Sequence, residues 1–273
     1  MGENILKKIA STKRVEVEAM KGIMPQERLR EMAEADSRKI LSMRDSILNG
    51  SGIIAEHKRR SPSKGEINPM SEVRRIAQEY AEGGASAMSV LTDTPYFGGS
   101  LTDLAVARMA APSLPLLRKE FIVDEYQLLQ AKIFGADAIL LIAAMISAEE
   151  IGRLNDAAHA LGLQTLVEIH SKAEIAAIPQ DADMVGVNNR DLTSFVTDIE
   201  NSSRIIESLP VDAVKIAESG IRSAADMVRL RDRGFDGFLI GEAFMSTENP
   251  GATLRRFVEY GRETGARPEG RQI

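Results

Sequence analysis

Short apolar segments recur along the chain at a spacing that suits strands separated by helices. From residue 52 onwards, each apolar run is followed by a turn and then by an amphipathic segment. The strand candidates are residues 53–58, 87–92, 116–120, 138–142, 164–169, 184–188, 214–218 and 237–240. The helix candidates are residues 72–82, 103–111, 125–134, 148–161, 172–178, 199–209, 224–233 and 250–261. Strands that alternate with helices predict a parallel sheet.

Eight strand and helix pairs are the number that a (β/α)8 TIM barrel requires. A doubly wound open sheet is the competing α/β arrangement, but no G-x-G-x-x-G motif follows the first strand. Helical periodicity up to residue 48, broken at Pro25, predicts a helical segment before the barrel. We therefore expect one domain over residues 1–273, with an N-terminal helical extension at 1–48 and the barrel at 49–273.

Composition narrows the class of protein without changing the predicted fold. The 273 residues carry 34 Lys and Arg against 40 Asp and Glu, a formal charge of -6, which argues against binding to nucleic acid. There is no cysteine, and the three histidines lack zinc-ligand spacing, so no metal site is predicted. The longest apolar run, residues 138–146, is far shorter than the roughly 20 residues of a membrane helix. With no signal-peptide pattern, we expect a cytoplasmic protein that does not bind membranes.

Polar side chains stand at the ends of several predicted strands, where a barrel places its chemistry. Glu56 and Lys58 end the first strand and point the same way, because side chains alternate along a strand. Other strands end with Lys119, Glu168, Asn188 with Arg190, and Glu218. Each alone is equally explained as a solvated strand end or a helix cap. Together they converge on one mouth, where carboxylates and amines would shift one another's pKa, as acid–base catalysis needs.

Two glycines follow the last two predicted strands, Gly220 after the seventh and Gly241 after the eighth. Barrels often bind phosphate in these two loops through backbone N–H groups, and glycine allows the backbone to approach an anion closely. Lys58 would add a positive charge, and Phe97 and Phe121 would add an apolar wall. Either glycine alone is more often a turn residue, and either ring is equally explained by loop packing. The pair of glycines predicts a small phosphorylated ligand.

The combination and order of these segments resembles the indole-3-glycerol phosphate synthase family over nearly the whole chain. The segments are Ile-Ala-Glu at 54–56, Ser-Pro-Ser-Lys-Gly at 61–65, Ser-Val-Leu-Thr-Asp at 89–93, Tyr-Phe-Gly-Gly-Ser-Leu at 96–101, Arg-Lys-Glu-Phe-Ile-Val-Asp-Glu-Tyr-Gln at 118–127, Gly-Ala-Asp-Ala-Ile-Leu-Leu-Ile at 135–142, Val-Asn-Asn-Arg-Asp-Leu at 187–192 and Ala-Glu-Ser-Gly-Ile at 217–221. Other phosphate-binding barrels would share only the pair of glycines.

The resemblance implies a carboxy-lyase of tryptophan biosynthesis whose N-terminal helical extension lies over the barrel mouth. The family's reaction closes the ring of 1-(2-carboxyphenylamino)-1-deoxyribulose 5-phosphate, with loss of carbon dioxide and then water, to give indole-3-glycerol phosphate. No cofactor is implied. A monomer is expected, and transient contact with other tryptophan-pathway enzymes is left open.

The resemblance also assigns roles to individual residues. Lys119 aligns with the general acid that protonates the ketone oxygen, and Glu168 with its partner, a base in dehydration. Glu56 and Lys58 align with groups that contact substrate hydroxyls and phosphate and move the dehydration protons. The substrate-binding positions would be Ser61 and Arg190 for the carboxylate, Asn188 and Glu218 for the hydroxyls, the backbone of Ser219, Gly220, Gly241 and Glu242 for the phosphate, and Pro62, Phe97, Phe121, Leu140 and Leu192 for the aminobenzoate ring. The Glu242 carboxylate would turn away from the phosphate.

Two other functions stay open when the residues are read without the resemblance. Lys119 is placed as a Schiff-base lysine would be in an aldolase that acts on a phosphorylated sugar. The chain would alternatively be a barrel that binds a phosphorylated metabolite without turnover.

Overall fold

A computed structural model describes residues 5–190, 197–209 and 212–264. In these residues, eight parallel strands form a closed barrel and two short strands form a separate antiparallel pair. The strands are β1 (Ile53–His57), β2 (Arg60–Ser61), β3 (Gly65–Glu66), β4 (Ala87–Leu91), β5 (Leu116–Lys119), β6 (Ala138–Ile142), β7 (Gln164–Ile169), β8 (Met184–Asn188), β9 (Val214–Glu218) and β10 (Gly237–Ile240). The barrel runs from β1 through β4 to β10 and closes by pairing β10 with β1. The predicted (β/α)8 barrel is confirmed, and the open sheet is excluded.

Helices connect and surround the barrel strands. They are α1 (Ile5–Ile23), α2 (Gln26–Ala35), α3 (Met43–Asn49), α4 (Val73–Gly83), α5 (Thr94–Phe97), α6 (Leu101–Ala110), α7 (Glu125–Ile133), α8 (Ala148–Ala160), α9 (Glu200–Ile205), α10 (Ala224–Asp232), α11 (Glu242–Met245) and α12 (Pro250–Thr264). Within the described ranges, no helix combines the length and apolar character that crossing a membrane requires.

Two predicted helices differ from expectation. The segment predicted at 172–178 is a 3-10 helix, Lys172–Ala177. Pro179 follows closely and disfavours a helical residue before it, so too few residues remain for a stable α-helix. The segment predicted at 199–209 is divided into α9 and a 3-10 turn, Ile206–Ser208, which again lies close to a proline in the sequence. The short helices α5 and α11 and the β2–β3 pair were not predicted.

The barrel core forms because most residues of the barrel strands are apolar and nearly all of them are buried. Strands β1, β4, β6 and β9 are buried along their whole length. The register places each polar strand end beside the end of a neighbouring strand, because Leu91 pairs with Lys119, Ile142 with Glu168, and Asn188 with Glu218. All carboxyl ends of parallel strands lie on one side, so these polar groups share one rim of the barrel.

The N-terminal helices pack along the barrel. Leu29 and Ala33 of α2 are buried in a cluster with Tyr126 and Leu129 of α7. Ile47 of α3 is fully buried in the main core. Helix α1 reaches the rim that holds the polar strand ends, as the expected extension over the mouth requires. The assignment of residues 1–273 to one domain, divided at residue 49, stays a prediction.

Candidate active site

A pocket opens at the carboxyl ends of the barrel strands, and the strand-end polar residues meet in it. Every predicted site residue in the described part of the chain lines this pocket; Leu192 lies outside the described residues. These lining residues are Glu56 of β1 with Lys58, Ser61 and Pro62 after it, Phe97 of α5, Lys119 and Phe121 at the end of β5, Leu140 of β6, Glu168 of β7, Asn188 and Arg190 at the end of β8, Glu218, Ser219 and Gly220 at the end of β9, and Gly241 and Glu242 after β10.

Lys119 lies between two buried carboxylates. Its Nζ atom is 2.9 Å from Glu168 Oε2 and 2.6 Å from Glu218 Oε2. Burial lowers the pKa of Lys119, but the charges of Glu168, Glu218 and Glu56 outweigh it and raise this pKa well above its ordinary value. Lys119 is therefore protonated and held in a defined position.

The two carboxylates beside Lys119 differ in charge because their other neighbours differ. Glu168 Oε1 accepts a hydrogen bond from Asn188 Nδ2 at 3.0 Å and lies 3.3 Å from His170 Nε2. Burial raises the pKa of Glu168, but Lys119, His170 and Asn188 bring it well below its ordinary value. Burial raises the pKa of Glu218 to about 8, with Lys119 acting against it and Glu168 adding to it. Near neutral pH, of the two carboxyl groups beside Lys119, Glu168 is thus ionised and Glu218 protonated.

A second ion pair lies in the same pocket. Lys58 Nζ is 2.7 Å from Glu56 Oε1. Burial raises the pKa of Glu56, but Lys58 and Lys119 outweigh burial and lower it. His57, between these two residues in sequence, points away and lies 3.0 Å from Ser71 Oγ. The alternation of strand side chains therefore places two acid–base groups in the pocket and one outside it.

Backbone geometry at the ends of β9 and β10 suits an anion. Ser219 has a φ of 65° and Gly220 a φ of 78°, and Ser219 is the one non-glycine residue with positive φ in the described ranges. Such strained backbone tends to cluster at functional sites. A Cβ atom on Gly241 would lie 2.6 Å from Glu56 Oε1 and 3.2 Å from Lys58 Cε. Only glycine leaves room there, and Lys58 supplies a positive charge beside it.

Arg190 and Glu242 lie at the outer edge of the pocket. Arg190 Nη1 donates to Ser63 Oγ, and among the described residues its buried Nε atom has no hydrogen-bond partner. Glu242 Oε1 is 3.2 Å from Lys64 Nζ, and its Oε2 is 3.8 Å from Arg190 Nη2. An anionic ligand can therefore bind a guanidinium group that still has an unpaired N–H in the described part of the chain, while two cations lie beside the Glu242 carboxylate.

An apolar wall closes the other side of the pocket. The ring centroids of Phe97 and Phe121 are 6.0 Å apart with an interplanar angle of 40°. Leu140 and two residues of α1, Leu6 and Ile9, also line the pocket. This wall suits a flat apolar group.

Sequence reasoning missed several residues that shape the site. Leu6 and Ile9 were predicted only as part of a helical extension. Gly186 in β8 leaves space for Glu218, because a Cβ atom on Gly186 would lie 2.1 Å from Glu218 Oε1. A glycine inside an otherwise apolar strand was the available signal. His170 follows Glu168 by two residues, so strand alternation alone could have placed both on one face.

Comparison with known proteins identifies the chain's relatives. The family model for indole-3-glycerol phosphate synthase matches residues 6–257. Indole-3-glycerol phosphate synthase from Bacteroides thetaiotaomicron is 48% identical over 262 residues, which cover 94% of this chain and 98% of that protein. The protein of the same name from Salinibacter ruber is 41% identical over 269 residues, 98% of this chain and 100% of that protein.

Solved structures with much lower identity share the fold. 3-Hexulose-6-phosphate synthase from Salmonella typhimurium superposes with a TM-score of 0.63 at 14% identity and covers 78% of this chain and 100% of that one. Thiamine phosphate pyrophosphorylase from Pyrococcus furiosus gives a TM-score of 0.60 at 17% identity, covering 81% of this chain and 98% of that one. These similarities concern the barrel alone.

Proposed function

Since the chain belongs to the indole-3-glycerol phosphate synthase family, we propose that its barrel-mouth pocket closes the indole ring with Lys119 as the general acid. The activity is that of a carboxy-lyase of tryptophan biosynthesis. It converts 1-(2-carboxyphenylamino)-1-deoxyribulose 5-phosphate into indole-3-glycerol phosphate, carbon dioxide and water. The observation that carries the role of Lys119 is the position of its Nζ atom in the pocket, 2.9 Å from Glu168 and 2.6 Å from Glu218.

In the first step, the ring carbon that bears the substrate carboxylate attacks the ketone carbon. Lys119 gives its proton to the ketone oxygen as this bond forms. Loss of carbon dioxide from the same ring carbon restores the aromatic ring. The carboxylates around Lys119 ensure that this acid carries a proton when substrate arrives.

In the last step, the new hydroxyl group leaves as water while a base removes a proton from the neighbouring CH2 carbon, so that the second double bond of the indole ring forms. Glu168 is assigned as the base because it is ionised near neutral pH and can accept a proton, while Glu218 is already protonated. The pair of Glu56 and Lys58 supplies the proton that departs with the hydroxyl group. Their 2.7 Å contact and their position in the same pocket support this division.

The rest of the pocket binds and orients the substrate. Arg190, with Ser61 and Ser63 close by, holds the carboxylate, and Asn188 and Glu218 hold the ribulose hydroxyls. The phosphate binds to backbone N–H groups after β9 and β10, and the ring packs on the apolar wall. The residues assigned to phosphate are Ser219, Gly220, Gly241 and Glu242, and those assigned to the ring are Pro62, Phe97, Phe121, Leu140 and Leu192.

Replacing Lys119 by alanine tests its role. Lys119→Ala should lower turnover by two or more orders of magnitude, about the contribution of a general acid, while the fold and the inhibition constant of inorganic phosphate change little. Lys132→Ala is a matched control, because Lys132 lies on α7 and donates to Leu161 O outside the pocket. A Lys119→Ala protein that keeps most of the wild-type turnover would remove the proposed acid. Borohydride trapping of substrate on Lys119 would instead favour Schiff-base chemistry.

A monomeric state, a cytoplasmic location and at most transient contact with other enzymes of the pathway belong to the same proposal. Light scattering coupled to gel filtration tests the first of these, since a stable dimer would double the measured mass.

A further inference from the structure

Lys13 of α1 is a buried cation in a helix that otherwise faces solvent on most sides. Only 4% of Lys13 is exposed. Its Nζ atom lies 2.7 Å from Asp93 Oδ1, 2.8 Å from Glu16 Oε2 and 3.3 Å from Glu120 Oε1. Burial lowers the pKa of Lys13, but these three carboxylates outweigh burial and raise it, so Lys13 is charged. Two of the three belong to loops at the barrel mouth.

Lys13 shares one face of α1 with residues of the pocket wall. Leu6, Ile9, Lys13 and Val17 are all buried, and their spacing of three and four residues puts them on one side of the helix. Leu6 and Ile9 line the pocket. The charged contact of Lys13 therefore anchors the same helix face that closes the site.

Asp93 links Lys13 to the aromatic ring of Phe97. Its Oδ2 atom accepts hydrogen bonds from the backbone N–H groups of Tyr96 at 2.7 Å and Phe97 at 3.1 Å, which caps the short helix α5. Its other carboxylate oxygen faces Lys13. Lys13 therefore helps to fix the position of α5, the short helix whose last residue is Phe97.

Glu120 links Lys13 to the second ring, that of Phe121. Its Oε1 atom accepts from the backbone N–H of Phe121 at 2.9 Å and also faces Lys13. Its Oε2 atom accepts from Thr92 Oγ1 at 2.8 Å. Without Lys13, two buried carboxylates in adjoining loops would lose a shared cation, which is costly for buried charges.

We propose that Lys13 is a positioning residue that sets the spacing of the Phe97 and Phe121 rings around the aromatic end of the substrate. This inference rests on the proposed function of the pocket. The proposal predicts different effects at the two ends of the substrate, because Lys13 acts on the apolar wall, and its ion pairs within the described residues are with Glu16, Asp93 and Glu120 rather than with the phosphate-binding backbone. Loss of Lys13 should weaken binding of the aromatic end and leave phosphate binding and the acid–base groups intact.

Steady-state kinetics on Lys13→Met, Lys13→Arg and a control, Lys8→Met, test the proposal. Lys8 is an exposed lysine of the same helix. For Lys13→Met we expect KM to rise about tenfold, as for a loosened apolar contact, with kcat within about threefold of wild type. The inhibition constant of inorganic phosphate should stay unchanged, and Lys13→Arg should restore most of the lost affinity because it keeps the cation.

Unchanged KM in folded Lys13→Met would overturn the proposal, and so would an equal rise in KM and in the phosphate inhibition constant, since that marks a general loosening of the mouth. If Lys13→Met does not fold, Asp93→Asn takes its place: asparagine still caps α5 but loses the ionic contact with Lys13. An inactive wild-type protein would count against the proposed function alone. In that case the role of Lys13 is tested by binding alone. Calorimetry would compare the dissociation constants of 1-(2-carboxyphenylamino)-1-deoxyribulose 5-phosphate for the wild type and for Lys13→Met.

Discussion

His170 lies behind Glu168 and between two carboxylates, so its charge should contribute to stability. Its Nε2 atom is 3.3 Å from Glu168 Oε1, and its Nδ1 atom is 3.7 Å from Glu174 Oε2. Burial lowers the pKa of His170, but these two carboxylates raise it to about 9. The perturbation that isolates this charge is His170→Asn, which removes the titrating ring.

The raised pKa of His170 sets both the size and the sign of its contribution to the free energy of unfolding. A rise from 6.5 to about 9 corresponds to at most about 3 kcal/mol of unfolding free energy. Because the folded-state pKa is raised, this contribution is complete below the unfolded pKa of 6.5 and is lost as the pH rises through about 9. The difference in unfolding free energy between wild type and His170→Asn should therefore fall by up to about 3 kcal/mol between pH 6 and pH 10.

Urea unfolding of both proteins across this pH range measures that difference directly. His57→Asn is a matched control, since burial lowers the pKa of His57 to about 4 and its contribution changes only below pH 6.5. Its difference from wild type should be level between pH 7 and pH 10. A level difference for His170→Asn over the same range would mean that His170 gains no proton affinity on folding, and it would contradict the predicted contribution of its charge.

Two glycine substitutions test whether the pocket requires glycine at positions 186 and 241. Gly186→Ala places a Cβ atom 2.1 Å from Glu218 Oε1, so the Glu218 side chain must shift and its 2.6 Å contact with Lys119 is disturbed. We expect kcat to fall at least about tenfold, and a circular dichroism spectrum like that of wild type would show that the fold persists. Wild-type kcat in this variant would contradict the contact. Gly241→Ala places a Cβ atom 2.6 Å from Glu56 Oε1 and beside Lys58, so the inhibition constant of inorganic phosphate should rise about tenfold. An unchanged constant would remove Gly241 from the phosphate site.

The barrel could be predicted from the sequence because its signal is local. Each strand is a short apolar run, and each helix shows its own periodicity, so element types followed from neighbouring residues. The convergence of Lys119, Glu168 and Glu218 followed as well, since parallel strands place their carboxyl ends on one rim. The same rule brought the residues of the glycine-containing loops to that rim.

Contacts between distant segments could not be predicted in this way. Lys13 meets Asp93 and Glu120 across about 80 and 107 residues of sequence, and a charged residue in an amphipathic helix ordinarily faces solvent. The need for glycine at position 186 depends on the rotamer of Glu218, which is set by Lys119 on another strand. Such features follow from tertiary packing, where propensity and periodicity carry no information.

The most direct test of the proposed ring closure is to follow indole fluorescence after 1-(2-carboxyphenylamino)-1-deoxyribulose 5-phosphate is added to the purified protein. The chain contains no tryptophan, so its own emission does not obscure the product. Ring closure with Lys119 as the general acid predicts a signal that rises in proportion to protein concentration and is nearly abolished by Lys119→Ala. A flat trace from wild-type protein, with calorimetry showing that the compound binds, would contradict it, because the pocket would then hold the ligand without closing the ring.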